Sequence, residues 1–571
     1  MCRSRGSVTL EQRRWQRSRG GDQRSFGLAR QARFLAQPIF DTVFRSAIPA
    51  VLASTLAVAG CEVGPDFKSP DVAVAQKWLE ADDPSVRTDR QDYERWWAVY
   101  NDPTLNQLIE RAYSQNLSLQ AAGARVLEAR AILGISIGKF YPQMQKVDVS
   151  AGYAQASKTD TSTNPGSFLN NYWKATMGLE VAWELDLWGK YRRSTESASA
   201  SYLASIATYD DALVTLLGDV ATTYIGIRTL QAQIDIAKEN VAKQRKALEI
   251  ARDRYRGGVA TELDVYQAQN VLAQTESTIP NLTAQLQQGE SALRVLLGMA
   301  PQSMDALLAG PRTIPVPPAD VAVGIPADLV RRRPDIRAAE LQAAAQSAKI
   351  GMTKAELFPA FKLSGVFGTS AGGTTENPAD QVFTSHSIFF AFGPSFSWPI
   401  LNYGQITNKV RVQDARLQAL LLDYQNTVLK AQKEVENGLS GFLQGRQQVN
   451  LLKASVTAAN NALRVAIDQY TLGTRDFTTV LTASQNLYQA QSNLATASGD
   501  VSTSLAKMYR SLGGGWQIRG NSEFVNDKIR AEMRNRTDWG SVLPPSGPPP
   551  QPEPGLPGPE NVGPNVQAPK W

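Results

Sequence analysis

The sequence predicts a mainly α-helical protein that also carries a small set of transmembrane β-strands. Three observations lead there. Two long stretches, each about 65 residues, consist almost wholly of good helix formers. Four shorter segments alternate strictly between apolar and polar residues. The whole plan then recurs at an offset near 215 residues.

Composition narrows the function classes. The chain has 571 residues with two cysteines and one histidine. That excludes a disulfide framework, a four-Cys zinc site and His-rich metal centres, and no metal site or cofactor is expected. Mean hydropathy is -0.27, and no apolar run reaches the roughly 18 residues of a spanning helix, which excludes a helical membrane transporter. The formal charge of +6 is misleading, because residues 1–60 hold ten arginines against Glu11, Asp22 and Asp41. The remainder is near neutral, so no nucleic-acid partner is expected.

The N-terminus reads as a leader. Ser46 to Ala59 is uncharged and follows Arg45, the order of a secretory signal. Val58-Ala59-Gly60-Cys61 resembles a bacterial lipobox, which makes Cys61 the expected lipidation site and mature N-terminus. Residues 1–42 are too long and Arg-rich for an ordinary n-region and are read as a mis-assigned start. Glu62 follows the cysteine where aspartate would signal inner-membrane retention, which favours the outer membrane. Several acyl chains at about 0.8 kcal/mol per buried methylene anchor firmly.

The strands come next. From Trp173 to Leu187 the odd positions are Trp173, Ala175, Met177, Leu179, Val181, Trp183, Leu185 and Leu187; the even positions are polar or small. Such a period of two gives one greasy and one wet face. Val147 to Tyr153 and Phe361 to Phe367 alternate likewise. In the fourth strand one face runs from Ile388 to Ile400, although Pro394 and Pro399 weaken it. Polar loops near 155–171 and 369–387 join them into two hairpins. Aromatics such as Tyr172, Trp183, Trp188, Trp398 and Tyr403 sit near strand ends, as in an interfacial girdle. Four strands cannot close a transmembrane barrel, which needs about eight, and an open edge in lipid leaves backbone groups unpaired. Copies must therefore share one barrel: a dimer would give eight strands, a trimer twelve.

Helices flank the strands. Arg192 to Tyr255 contains no proline and would span on the order of 100 Å at about 1.5 Å per residue. Thr261 to Leu297 follows, with a kink expected at Pro280. Ile406 to Tyr470 and Phe477 to Leu512 repeat the pair. Alanines such as Ala221, Ala251 and Ala268 permit close helix approach. The two halves match in order: Ala251, Asp253, Tyr255, Gly258, Val265 and Leu272 pair with Ala466, Asp468, Tyr470, Gly473, Val480 and Leu487.

The motif Cys61-Glu62-Val63-Gly64-Pro65-Asp66-Phe67, the run Asp328 to Ile336 (DLVRRRPDI), the strand exit Trp188-Gly189-Lys190 and the turn Tyr470 to Arg475 together carry a family resemblance. The chain resembles the TolC-like outer-membrane efflux protein family, in its lipoprotein branch: the NodT-like outer-membrane components of resistance-nodulation-division efflux systems. The resemblance spans about 61–516. It implies a homotrimer with a twelve-stranded β-barrel (four strands per protomer), a long periplasmic α-helical barrel and an equatorial belt. It further implies a periplasmic adaptor protein, an inner-membrane pump and outer-membrane lipid as partners.

On this plan the chain divides into a leader (1–60), a lipidated N-terminal segment (61–116), a first repeat (117–298; hairpin 145–187, tip turn 255–260), an equatorial linker (299–333), a second repeat (334–516; hairpin 361–400, tip turn 470–476) and a C-terminal tail (517–571). The tail is proline-rich and expected to be disordered from 544. Arg331-Arg332-Arg333-Pro334-Asp335 reads as a helix start, with the arginines paired to acids of the belt.

The candidate functional ends are the two glycine-containing tip turns, expected to meet at the periplasmic mouth. Gly257, Gly258, Gly473 and Thr474 would contact the adaptor. In the family the closed mouth is held by tyrosine, arginine and aspartate contacts between neighbouring hairpins. Carried over by position, that implies a gate of Asp264, Tyr470 and Arg475. The family's inward aspartate rings fall on Thr479 and Thr482 here; Asp476 either takes their place or caps its own helix. No nucleophile–base constellation or phosphate loop is present, so an enzyme is not expected. The implied function is the exit duct of a tripartite pump expelling small toxic compounds. The alternatives are a duct for type I secretion of polypeptides and a trimeric coiled-coil adhesin or spacer.

Overall fold

The computed structural model describes residues 62–89, 93–155, 171–373 and 381–543. Cys61 and the leader, most of the first hairpin loop, the second loop at 374–380 and the proline-rich stretch from 544 lie outside the described residues. Two compact units are present.

The first unit gathers residues 140–193 and 351–407. Its strands, counted along the whole chain, are β2 (Met144–Gln155), β3 (Asn171–Leu185), β5 (Ala360–Gly373) and β6 (Ile388–Ser397), antiparallel in the order β2-β3-β5-β6. The register aligns the alternation across strands. Val147 faces Leu179, which faces Phe367, which faces Phe390. One face is therefore continuously apolar, and it is exposed: Val149, Leu179, Phe367 and Phe390 are open, and Phe392 is 81% exposed. The other face carries Thr176 against Ser370, and Glu180 opposite Lys146. Neither β2 nor β6 has a second neighbour within the sheet.

Three strand limits differ from expectation. β3 ends at Leu185 rather than Leu187, because Asp186 turns to accept hydrogen bonds from the backbone N–H of Tyr191 (3.0 Å) and Arg192 (2.9 Å) at the next helix start. β5 runs to Gly373, so the loop expected from 369 begins later. Its small residues pair closely there, and a side chain at Gly368 would stand 2.4 Å from the Met177 carbonyl. β6 stops at Ser397, before Pro399, yet accommodates Pro394 as an edge strand can.

The second unit is helical. Short helices α1 (Pro103–Gln115) and α2 (Leu117–Gly138) precede the long pair α3 (Lys190–Arg256) and α4 (Glu262–Leu296). After α5 (Pro326–Arg332) and α6 (Pro334–Ala355) comes the second long pair, α7 (Gln405–Thr471) and α8 (Phe477–Ser511). α4 continues as one helix through Pro280. α3 and α7 have 67 residues each and α4 and α8 have 35 each, at a constant offset of 215. None of the described helices is long and apolar enough to cross a membrane.

The core of this unit joins Leu105, Leu213, Leu217, Tyr224, Phe442 and Met508, all essentially fully buried. Gly438 lets α7 approach α8, since a Cβ there would lie 2.9 Å from Met508 Cα. Small strands β1 (Val86–Arg87) and β4 (Val321–Ala322) pair in parallel beside it. A buried polar chain crosses the core. Arg228 Nε donates to Tyr224 Oη (3.0 Å), which donates to Asp102 (2.7 Å), the cap of α1. Arg228 also donates to the Leu308 carbonyl (3.2 Å) and to Gln231 (2.9 Å), so its guanidinium is hydrogen-bonded although fully buried. Arg333 pairs with Asp335 (2.7 Å) and Glu434 (2.8 Å), with Pro334 at the start of α6 and Asp335 in its first turn. Arg332 instead lies over Tyr93 at 4.3 Å.

Residues expected to form only a tail contribute one more helix, α9 (Asp527–Arg536). Asn526 caps it, and Val525, Met533 and Leu543 pack on Leu127 of α2.

Candidate functional site

The site is built from the two turns that join the long helices. α3 ends with Gly257 N–H donating to the Asp253 carbonyl, Gly258 N–H to Tyr255 and Val259 N–H to Arg254. α7 ends with Leu472 N–H donating to Asp468, Gly473 N–H to Tyr470 and Thr474 N–H to Gln469. Gly258 has φ +73° and Gly473 φ +76°. These are paired glycine-terminated helix ends, in which a left-handed residue returns the chain and satisfies the last carbonyls. The sequence places glycine at both because a Cβ is strained there.

A small core sits beneath the turns. It unites Leu248, Ala251, Val265 and Ala268 of the first repeat with Leu463, Ala466, Val480 and Leu487 of the second. Most of these are repeat equivalents, so the alanine positions seen in the sequence are the helix contacts. Tyr470 and Phe477 complete this core, with ring centroids 4.9 Å apart.

The expected gate residues are placed as follows. Tyr470 is 5% exposed. Burial raises its phenol pKa, and the charge of Asp264 raises it further, against the opposing effect of Arg254. Asp264 folds back on its own helix start, accepting from the Thr261 N–H at 3.1 Å. Arg475 stands exposed at the end of the second turn. Within the protomer the guanidinium over Tyr470 belongs to Arg254, at 4.7 Å from the ring centroid. Arg254 Nη1 also donates to the Thr471 carbonyl at 2.9 Å. Arg254 Nε and Tyr470 Oη are both buried, and neither makes a hydrogen bond of normal geometry.

Arg254 is thus the residue that sequence reasoning missed. Its signal was a break in the repeat, since its equivalent is Gln469. Asp476 occupies the N-cap position of α8 but makes no side-chain cap bond. Thr479 and Thr482 line an open groove of about 610 Å³ with Ala459, Ala462 and Asn486, between α7 and α8. The first turn looks outward instead: Tyr255, Val259, Leu263 and Tyr266 are exposed, Val259 at 66%. Among the described residues no cluster of metal-ligating side chains is present.

Comparison with known proteins agrees with this architecture. The family described as outer membrane efflux protein matches residues 108–299 and 325–514, which are the two repeats. Nodulation protein T of Rhizobium leguminosarum bv. trifolii is 31% identical over 464 residues, covering 81% of this chain and 96% of the relative. The toluene efflux pump outer membrane protein TtgI of Pseudomonas putida is 28% identical over 486 residues, covering 82% and 98%. Among solved structures, the outer-membrane channel OprN superposes with a TM-score of 0.75 at 32% identity, covering 80% of this chain and all of that one. With both repeats, the turns that close them and the four alternating strands accounted for, the chain belongs to the outer membrane efflux protein family.

Proposed function

We propose that this outer-membrane efflux channel is the exit duct of a tripartite pump, joined through a periplasmic adaptor to an inner-membrane transporter and expelling small toxic compounds. The observation that carries the duct reading is the sheet. It has four strands, two open edges and an outward apolar face. Such a sheet is stable in lipid only when copies close it, and the family's trimer supplies twelve strands. Relatives named for toluene and solvent efflux support small organic cargo rather than polypeptide. Acylation at Cys61 would hold the N-terminus to the same membrane.

The tip turns are read as the regulated mouth. Gly257 and Gly258 carry the exposed apolar residues of the first turn, and Gly473 and Thr474 shape the second; both would meet the adaptor. Asp264, Tyr470 and Arg475 would hold the mouth closed across neighbouring protomers, with Arg254 as their partner inside the protomer. The contact of Arg254 with Tyr470, a guanidinium over the ring at 4.7 Å in which neither Nε nor Oη has a hydrogen bond of normal geometry, supports an element that can exchange partners. The test is a deletion strain challenged with solvents, dyes and antibiotics, beside single-channel recording of the purified trimer. Increased susceptibility and a conducting trimer are expected. A conducting trimer whose loss leaves every susceptibility unchanged would sink the efflux reading while leaving the channel intact.

A further inference from the structure

A cavity of about 710 Å³ opens beneath the segment Arg312 to Ala319, within the helical unit. The sequence explains why the segment touches the helices at Pro315, which is buried, and leaves open space around that contact. Pro315, Pro317 and Pro318 stiffen it and remove three backbone donors. Its middle and its C-terminal end are tied instead through carbonyls: Ser502 Oγ donates to Pro315 O at 2.6 Å, and Arg446 donates to Ala319 O. The segment is a strut over the space between α3, α7 and α8.

The lining has two characters. Ile236, Val449 and Val501 come from the three helices, and Ile314 and Val316 from the strut. Around them stand Arg312, Arg446 and Lys453 against one acid, Asp235. Arg446 is otherwise engaged by the Ala319 carbonyl and the Phe442 ring (5.5 Å), and none of the three cations forms an ion pair within the described residues. The volume falls in the range of about 300–1,000 Å³ that small-molecule sites occupy. An apolar body with unpaired guanidinium and ammonium groups at its edge selects a ligand with the complementary halves.

We propose that this cavity binds an amphipathic organic anion: a fatty-acid-sized molecule with one carboxylate or sulfonate head and an apolar body. The site stands apart from the tip turns and does not depend on the duct reading. Its test is therefore a binding measurement, not transport. Dansyl-labelled undecanoic acid and its neutral methyl ester are titrated against the full trimer in nanodiscs of zwitterionic lipid. The acid should saturate at one site per protomer, unlabelled decanoate should displace it, and the ester should bind at least tenfold more weakly. The double variant R312E/K453E changes two exposed side chains, so the fold should persist, and it should weaken the acid at least tenfold. V316N, an uncharged polar change at an apolar position that is 77% exposed, should weaken acid and ester alike. Equal binding of acid and ester, or wild-type affinity in R312E/K453E, would overturn the proposal. So would acid binding that rises without saturation, which is partition into lipid.

Discussion

Tyr255 and Tyr470 occupy equivalent positions of the two repeats, yet the first ring is 46% exposed and the second 5%. The backbone around them is the same, hydrogen bond for hydrogen bond, down to a glycine at φ near +75°. What differs is the start of the following helix. Phe477 stands where the first repeat has Glu262, and it offers Tyr470 a ring to pack on. Arg254 stands where the second repeat has Gln469, and it reaches across to roof Tyr470. Duplication fixed the shape of the turn, and a few substitutions then separated the roles. Both turns leave an apolar side chain outside, Val259 in the first and Leu472 in the second, but only the second packs its tyrosine into a corner.

The largest test of this contrast is truncation of the two tyrosines. Tyr470→Ala removes a buried aromatic and should cost the second turn about 3–5 kcal/mol of local stability. Tyr255→Ala should stay within about 0.5 kcal/mol. Hydrogen–deuterium exchange of peptides covering 463–480 and 248–265 reads both. A loss of protection of two orders of magnitude or more is expected in the first variant and almost none in the second. Equal losses would erase the distinction between the turns.

Next in size is the comparison of arginines. Arg254→Ala loses a cation–π contact of about 0.5–2 kcal/mol and a hydrogen bond from a charged donor, about 1.5–3 kcal/mol. The second turn should loosen by roughly thirtyfold or more in exchange, although the mutated residue lies in the first repeat. Arg475→Ala should leave that exchange unchanged and, on the proposed gate, raise the closed-state conductance. If Arg475→Ala loosens the turn and Arg254→Ala does not, the assignment of the internal partner is reversed.

The glycines sharpen the likeness rather than the difference. Gly258→Ala and Gly473→Ala each force a Cβ into the left-handed region, costing about 1–2 kcal/mol. Because the two φ values agree, the losses of exchange protection should agree within a factor of about three. A large disparity would mean that the two backbones are held by different forces.

Much of this was legible in the sequence because it rests on local chemistry. The long helices were expected at Arg192–Tyr255 and Ile406–Tyr470 and run Lys190–Arg256 and Gln405–Thr471. Proline-free runs of helix formers extend until a glycine at positive φ stops them. The strand faces were legible because lipid demands strict alternation, whereas strand ends were not, since Asp186 and the small residues after Gly368 act through neighbours. Arg254 was hidden because its partners lie more than 200 residues away in sequence. α9 was missed because charged residues dominate it, leaving Ile529 and Met533, behind the Asn526 cap, as its faint apolar signal. Arg333 was legible as a belt ion pair, but the fully buried Arg228 was not, because nothing local marks the carbonyl of Leu308 as its acceptor.

The smallest effects separate two roles for one carboxylate. Asp264 accepts from the Thr261 N–H, a capping bond worth about 1 kcal/mol, and its charge also bears on Tyr470. Its counterpart Thr479 has no carboxylate, and Asp476, nearby, makes no cap bond. Asp476→Ala should therefore change exchange at the start of α8 by less than Asp264→Ala changes it at the start of α4. Asp264→Asn divides the remaining question, since the amide oxygen can still accept from Thr261 but carries no charge. A cap role alone predicts that Asp264→Asn resembles wild type in both exchange and conductance. A gate role predicts near-normal exchange in Asp264→Asn together with a closed state as leaky as that of Asp264→Ala. Because the cap acts within one protomer and the gate between protomers, disagreement between the two readouts in this one variant is what distinguishes helix initiation from channel closure.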